Sequence, residues 1–277
     1  MYTRVYVEIT NVCNMHCSFC HGHHRAPMRM DMQTFSHIIS ELKGKTEYLY
    51  YHLMGEPLTH PLLPDFLSLA RAEGFHSAIT TNGTLLPEHG QALLAAGLYK
   101  VSVSLHSFED GSKADFFRYL DGVIQFAEIA TAADVIVSLR LWNKGCDNGR
   151  NAIILAYLQG KLTGDWKENT RGFRIRPKLH LEWGERFAWP DRSAAVQGTQ
   201  FFCYGMRDHF GILCDGSVVP CCLDSEGDIT LGNVLTQPLA EILSSPRAVA
   251  IHEGFLRRVA AEELCRRCAY AQRFIDR

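Results

Sequence analysis

Three cysteines in eight residues, Cys13-Asn14-Met15-His16-Cys17-Ser18-Phe19-Cys20, follow directly on a strand-like run at 5–10. No other feature restricts the chain as much, because thiols held this close on one short loop suit a shared metal. Ten cysteines are present among 277 residues. Cys203, Cys214, Cys221, Cys222, Cys265 and Cys268 form a second group near the far end, and Cys146 stands alone as a plain loop residue. The N-terminus runs straight into a strand without the charged and apolar regions of a signal peptide. No apolar run approaches the roughly 20 residues that span a bilayer. A cytoplasmic location is therefore expected, where clustered cysteines at short spacings point to metal ligation and not to disulfides.

Three thiolates on a four-iron cubane leave one iron open, and an open coordination position is where a catalytic metal does its chemistry. The alternative is zinc, with His21, His23 or His24 as fourth ligand. Zinc sites are ordinarily built from cysteine pairs two to four apart plus a distant second pair, a form that the three-then-two spacing lacks.

Up to about residue 185 the chain alternates strand-like and helical patterns. Segments 5–10, 46–53, 76–80, 99–105, 135–142 and 173–181 are rich in β-branched and aromatic residues. Segments 32–42, 62–72, 88–96, 114–131 and 151–159 carry apolar residues at three- and four-residue intervals. Alternation of this kind implies an α/β fold of parallel strands joined by right-handed crossovers. Six strands are too few for a closed eight-stranded barrel, so an open, partial (β/α)6 TIM-like barrel over 1–190 is expected. Its active-site groups should lie beyond the C-terminal ends of the strands. Trp189-Pro190-Asp191 and the polar stretch after it resemble a linker to a small cysteine-rich hairpin and helix domain over 191–277. A net charge of −2 gives no basic surface for nucleic acid, and neither a nucleic-acid nor a membrane partner is expected.

On the fourth strand Ser102, Ser104 and His106 alternate with Val101, Val103 and Leu105, and on the fifth Ser138, Arg140 and Trp142 lie opposite Val137, Leu139 and Leu141. The apolar sets should pack on helices and the polar sets face the barrel lumen. An inward arginine needs a partner, either a ligand carboxylate held bidentately or an internal salt bridge. Arg174, Arg176, His180, Glu182 and Glu185 near the sixth strand could line the substrate end, and no catalytic acid or base is singled out. In the C-terminal part, a hairpin at 212–219 turning at Asp215-Gly216 should return Cys221 to Cys203. A helix at 239–243 and its extension then bring back Cys265-Arg266-Arg267-Cys268. The four thiolates of Cys203, Cys221, Cys265 and Cys268 would ligate one cluster fully, which suits electron transfer, although four thiolates also fit structural zinc. Cys214 and Cys222 read as small buried hydrophobes.

The cysteine spacing, the preceding strand and Phe19 before the last cysteine resemble the radical S-adenosylmethionine (radical SAM) superfamily, over nearly the whole chain. The resemblance implies that Cys13, Cys17 and Cys20 hold a [4Fe-4S] cluster. Its open iron would be chelated by the amino and carboxylate groups of S-adenosylmethionine. Reductive cleavage would give methionine and a 5′-deoxyadenosyl radical that abstracts a substrate hydrogen. Met54-Gly55-Glu56-Pro57 is similar to the family's Gly-Gly-Glu-Pro motif for the cofactor's amino group, with Met54 in place of the first glycine. Phe19, Gly55, Glu56 and Asn82 are implied cofactor contacts, and Ser102, Ser104 and Arg140 would serve its carboxylate and ribose. The C-terminal cysteines, with Leu231-Gly232-Asn233 before a helix, resemble the SPASM and twitch extensions. A full SPASM domain has further cysteines after the Cys-x-x-Cys pair, so one auxiliary [4Fe-4S] cluster, at Cys203, Cys221, Cys265 and Cys268, is expected.

Two enzyme classes follow from the resemblance, both oxidoreductase-type: net oxidation or crosslinking of a peptide or protein side chain, and dehydrogenation or epimerisation of a small molecule. Only twelve residues precede Cys13, so no N-terminal leader-binding domain is expected, which points to small substrates or to a separate peptide-binding protein. A one-electron reductant such as flavodoxin or ferredoxin is the other expected partner. A zinc-binding interaction protein is the non-catalytic alternative.

Overall fold

The computed structural model describes residues 1–109 and 111–274. Strand β1 (Arg4–Val7) leads through the cysteine loop to helix α1 (Met32–Leu42), and the alternation continues with β2 (Tyr48–Tyr50), α2 (Leu63–Ala72), β3 (His76–Thr81), α3 (Leu86–Ala95), β4 (Lys100–Ser104), α4 (Lys113–Ala132), β5 (Ile136–Lys144) and α5 (Arg150–Lys161). Short β6 (Lys167–Asn169), β7 (Gly172–Arg176) and β8 (Leu179–Glu185) follow, then β9 (His209–Ile212), β10 (Ser217–Val219), β11 (Gly232–Asn233) and helices α6 (Leu239–Leu243), α7 (Pro246–Leu256) and α8 (Glu263–Arg266).

The helices form where the sequence supplies both a cap and an apolar stripe. Asp31 accepts from the Thr34 amide at 2.7 Å to start α1, which buries Phe35, Ile38, Ile39 and Leu42 on one face. A reciprocal Ser112–Asp115 capping box starts α4. Strands β1, β2, β3, β4, β5 and β8 pair in parallel in that spatial order. This is the expected partial barrel, set within an 11-stranded mixed sheet. The period-two pattern sorts its two faces: Val101, Val103, Leu105, Val137, Leu139 and Leu141 are fully buried in the core shared with the helices. Ser102 stands beside Ser138, and Ser104 beside Arg140, on the opposite, concave face.

The segment 173–181 is not the single sixth strand expected from its composition. Pro177 and Lys178, the latter at φ 64°, turn it into the β7–β8 hairpin, and only the second limb joins β5 in parallel. Proline supplies no ladder donor, which breaks the run there. Polar, exposed β6 carries no alternation that could have announced it. The C-terminal hairpin forms as expected, and β9 lies parallel to β1 on the side away from β2. The helix after Gly232-Asn233 is not extended: α7 starts afresh behind Ser245, whose hydroxyl caps it, with Pro246 in its first turn.

Gly172 opens the β7–β8 hairpin at φ +139°, where an added Cβ would stand 2.1 Å from the Leu181 carbonyl oxygen. Gly172→Ala should therefore cost roughly 2–4 kcal/mol of folding stability, measurable as a fall in the denaturant midpoint at unchanged slope.

Candidate active site

The thiol loop is anchored at both ends by the loops that follow β2 and β3. At Gly55 (φ +76°) the β2 loop comes so close to the cysteine loop that a Cβ would lie 2.4 Å from the Thr10 carbonyl oxygen, and only glycine fits that approach. The Glu56 amide donates to Val12 O at 2.9 Å, one residue before Cys13. The Glu56 carboxylate is buried and accepts from Leu58 N (3.1 Å), Thr81 Oγ1 (2.7 Å) and Asn82 N (2.7 Å), so it clamps the β2 and β3 loops together. Burial outweighs these donors and raises its pKa to about 7. Asn82 passes the link on: its Nδ2 donates to Asn14 Oδ1 at 2.8 Å, inside the cysteine loop.

The same loop is held from the β4 end, where Ser107 and Glu109 carry no sequence signal of their own. The Ser18 amide and hydroxyl donate to the Glu109 carboxylate at 2.5 and 2.7 Å, and Cys17 Sγ donates to Ser107 O at 3.6 Å. Phe19 packs against His106, ring centres 4.7 Å apart, and the His106 ring meets the Arg140 carbonyl at 3.1 Å. A cavity of about 450 Å³ opens beside the loop, lined among others by Phe19, Cys20, His21, Cys146 and Trp189. Cys146 is thus part of a cavity wall beside the first thiols, and Trp189 of the presumed linker is part of the same wall. His23 is not free for a metal, since its ring nitrogens meet Asn11 O and Arg25 O at 2.9 and 3.1 Å.

Beneath these loops a second clamp joins the two cysteine-bearing halves. Glu8, fully buried one residue beyond β1, takes both Arg25 guanidinium nitrogens at 2.7 Å, together with the amides of Met54 (3.2 Å) and Cys214 (3.4 Å). Arg25 Nε reaches the Ser225 carbonyl at 2.7 Å. The Cys214 thiol donates to Glu8 O at 3.1 Å, a structural use of that buried thiol. Arg25 is invisible in the sequence as a functional position, since its partners Glu8 and Ser225 lie 17 and 200 residues away.

The second thiol group lies beside β9 and β10. Gly205 N donates to Cys203 Sγ at 3.4 Å, and a Cβ on Gly205 would meet both Cys203 Sγ and Cys221 Cβ. Burial, then the neighbouring thiols, raise Cys203 to about 11 and push Cys221 and Cys265 well above the ordinary thiol value; burial also raises Cys268. Cys13 is raised and Cys17 reaches about 11, again chiefly through burial, with Cys20 adding to both. In each group the ionisation of one thiol opposes that of its neighbours, the property of a donor set suited to a cationic iron centre that takes up thiolates and releases protons. Among the described residues no three His, Cys, Asp or Glu side chains meet around a point that would hold one metal ion. Cys222 packs with Tyr6, Leu53, Leu213 and Val219 and is raised to about 11 by burial.

The concave face of the sheet is polar. Ser102 and Ser138 are buried, His52 Nε2 meets Thr80 Oγ1 at 3.3 Å, and Arg140 Nη1 donates to the same hydroxyl at 3.4 Å. Arg140 faces Glu182 at 3.5 Å and stacks over Trp142. An internal carboxylate therefore partners this arginine, but too far for Nε, which makes no hydrogen bond among the described residues. Burial followed by Arg140, Arg4 and Lys100 lowers His52 to about 3, so its ring is neutral. Of the remaining sixth-strand candidates, Arg176 is engaged with Glu128 on α4, whereas His180 and Glu182 line a concave-face cavity.

Residues 7–142 match the family model described as the Radical SAM superfamily, and residues 203–269 match the SPASM iron–sulfur cluster-binding domain. The chain is 34% identical over 139 residues to a GTP 3′,8-cyclase of Chlorobaculum tepidum, a match covering 48% of this chain and 41% of that one. It therefore spans less than half of that relative. The structure of BtrN in complex with AdoMet and 2-DOIA superposes with a TM-score of 0.63 at 18% identity, over 97% of this chain and 93% of that one. Streptococcus suis SuiB bound to precursor peptide SuiA gives 0.58 at 14%, over 91% and 67%. At such identities the likeness is one of fold. No described helix is long and apolar enough to cross a membrane.

Two outcomes follow. Arg25→Met leaves the Glu8 carboxylate buried without its counter-charge, and should cost about 3–5 kcal/mol of stability, read from denaturant melts. Glu56, with a folded pKa of about 7 against 4.5 unfolded, contributes stability that is present below pH 4.5 and lost as pH rises through 7. Between pH 5 and 8 the ligand-free wild type should thus lose about 2–3 kcal/mol relative to Glu56→Gln, a difference that paired melts across that range would reveal.

Proposed function

The chain belongs to the radical SAM superfamily and carries a SPASM iron–sulfur cluster-binding domain, and from that premise we propose that it removes a hydrogen atom from a compact substrate and completes a net two-electron oxidation. A radical SAM domain binds a four-iron cluster and S-adenosylmethionine, and a SPASM domain binds auxiliary iron–sulfur clusters. When bound, the first pair supplies one-electron reductive cleavage of the sulfonium, yielding methionine and a 5′-deoxyadenosyl radical. The observation that carries this reading is the convergence of the three-thiol loop with the loops after β2, β3 and β4, tied by Gly55, Asn82 and Glu109.

In this proposal Cys13, Cys17 and Cys20 ligate the first cluster and leave one iron to the cofactor. Cys203, Cys221, Cys265 and Cys268 would hold a single auxiliary cluster, which would supply electron transfer. Residues 1–190 form the catalytic barrel and 191–277 the auxiliary domain. The carboxylate of Glu56 is already committed to Leu58, Thr81 and Asn82. Backbone carbonyls of the Met54–Gly55 loop therefore receive the cofactor's ammonium, and Glu56 positions that loop. Phe19, backed by His106, supplies an apolar wall, and Ser102, Ser104 and Arg140 offer donors to ribose and carboxylate oxygens. A flavodoxin or ferredoxin delivers the first electron.

A concave-face cavity of about 230 Å³ suits a small molecule and favours its dehydrogenation, and the BtrN structure, which shares the fold, was solved with 2-DOIA. Oxidation or crosslinking of a peptide side chain is the second reading, favoured by the superposition with peptide-bound SuiB. Incubating reduced enzyme and cofactor with substrates of each class, and tracing deuterium into 5′-deoxyadenosine, separates the two. Inorganic sulfide analysis of anaerobic protein decides against a zinc-binding role if sulfide is present, and against this proposal if it is absent.

Replacement of Cys13, Cys17 or Cys20 by alanine should abolish 5′-deoxyadenosine formation. Cys265→Ala/Cys268→Ala should keep uncoupled cofactor cleavage while product falls at least a hundredfold (about 2.7 kcal/mol in barrier), followed by chromatography of both products.

A further inference from the structure

A cavity of about 230 Å³ opens on the concave face near the N-terminal ends of the strands, between the starts of β4 and β5, the first half of β8 and the turn before β7. Ile136 gives it an apolar patch, while Leu181 and Phe173, opposite each other on β8 and β7, border it but pack into the helix-side core. Lys100, Arg171 and His180 stand on the polar side with Glu182. Lys100 is half-buried, yet neither a hydrogen bond nor an ion pair engages its ammonium among the described residues. Arg171 likewise has no side-chain partner among them.

The charges around this space do not balance. Arg140 on β5 and Arg4 on β1 face Lys100 from behind, and Arg174 faces His180 from β7. Among the described residues Glu182 is the one carboxylate acting on Lys100, and it is already shared with Arg140 at 3.5 Å. Burial, reinforced by Arg140, Arg4 and Arg171, lowers the Lys100 pKa. Outside the cavity lining, Arg140 Nε, which faces Glu182 at 3.5 Å, and Arg4 Nε are buried without hydrogen-bond partners among the described residues. A half-buried ammonium without a partner, as at Lys100, is costly unless an anion completes it, and the exposed Arg171 beside it offers a second donor.

We propose that this cavity seats an oxyanion of the substrate, a carboxylate or a phosphate, gripped by Lys100 and Arg171 with the His180 ring beside them, while Ile136 takes the adjoining hydrocarbon. The assignment rests on the radical SAM reading above for its description of the ligand as substrate. The binding of an anion there does not depend on cluster chemistry. An oxyanion accepts hydrogen bonds from an ammonium and a guanidinium without itself supplying a donor. Glu182 then sets the selectivity, because it repels the anion while holding Arg140 in place.

Calorimetric titration of the anaerobic, cluster-loaded protein with inorganic phosphate, and separately with acetate, tests the site. Saturable binding of at least one is expected, and the tighter of the two names the oxyanion. Lys100→Met should weaken it at least tenfold, Arg171→Gln at least threefold, and Glu182→Gln should tighten it at least threefold. Arg118→Gln, at an exposed position on α4, should bind as wild type. The opposed signs of K100M and E182Q keep the test decisive, since a misfolded variant does not gain affinity. Absence of saturation with either anion, or unchanged affinity in K100M and E182Q, overturns the proposal. On the same samples, electron paramagnetic resonance of the reduced cluster with and without S-adenosylmethionine reports the functional reading. No spectral response to the cofactor would sink that reading while leaving the anion site to be judged by the titrations.

Discussion

The Glu8 carboxylate is the interaction on which the geometry of both thiol groups depends. It lies fully buried one residue beyond the first strand, and its two oxygens are shared by the Arg25 fork, the Met54 amide and the Cys214 amide. Those donors come from the end of the first cysteine loop, from the loop after β2 and from the C-terminal hairpin. An isolated buried carboxylate is expensive, and it is tolerated only when every lone pair is used and the charge is matched. The clamp is therefore complete or it fails, and it sets the three-thiol loop and the C-terminal segment in one register.

A second constraint comes from the parallel sheet. Alternation sends valines and leucines to the helices and leaves serine, threonine, histidine, arginine and lysine on the concave side. In most cores such a face would be untenable. Here neutral His52, the shared Thr80 hydroxyl and the Arg140–Glu182 pair satisfy part of it, and the surplus of cations at Lys100 marks the part that they do not. The same economy governs the thiols. Six of the proposed ligands have their ionisation opposed by burial, so the arrangement is favourable when a metal centre withdraws their protons.

Much of this was legible before the structure. The spacing of Cys13, Cys17 and Cys20, the parallel alternation and the C-terminal hairpin each follow from local patterns, and local patterns survive folding when tertiary forces agree with them. The segment 173–181 misled because composition reports strand preference without reporting direction: Pro177 and a left-handed Lys178 reverse the chain inside what reads as one run. Glu56 shows a different limit. Its motif is recognisable, but whether its carboxylate meets a ligand or fastens two loops depends on Thr81 and Asn82, 25 and 26 residues away. Cys146 and Trp189 read as loop and linker, yet they share a cavity wall with Cys20.

The sequence by itself determined the chemistry on offer: thiols at metal-binding spacing, a parallel α/β scaffold to carry them, and a polar lumen-facing alternation, all of them properties of neighbours along the chain. Only the tertiary structure decided which groups are spent on holding the fold and which are left for a ligand. Cys214 and Cys203 are the same residue type in the same cluster of sequence, and Arg25 and Lys100 are both simple cations. Burial and the closeness of remote carboxylates separate them, and those depend on distances in space that no spacing along the chain encodes.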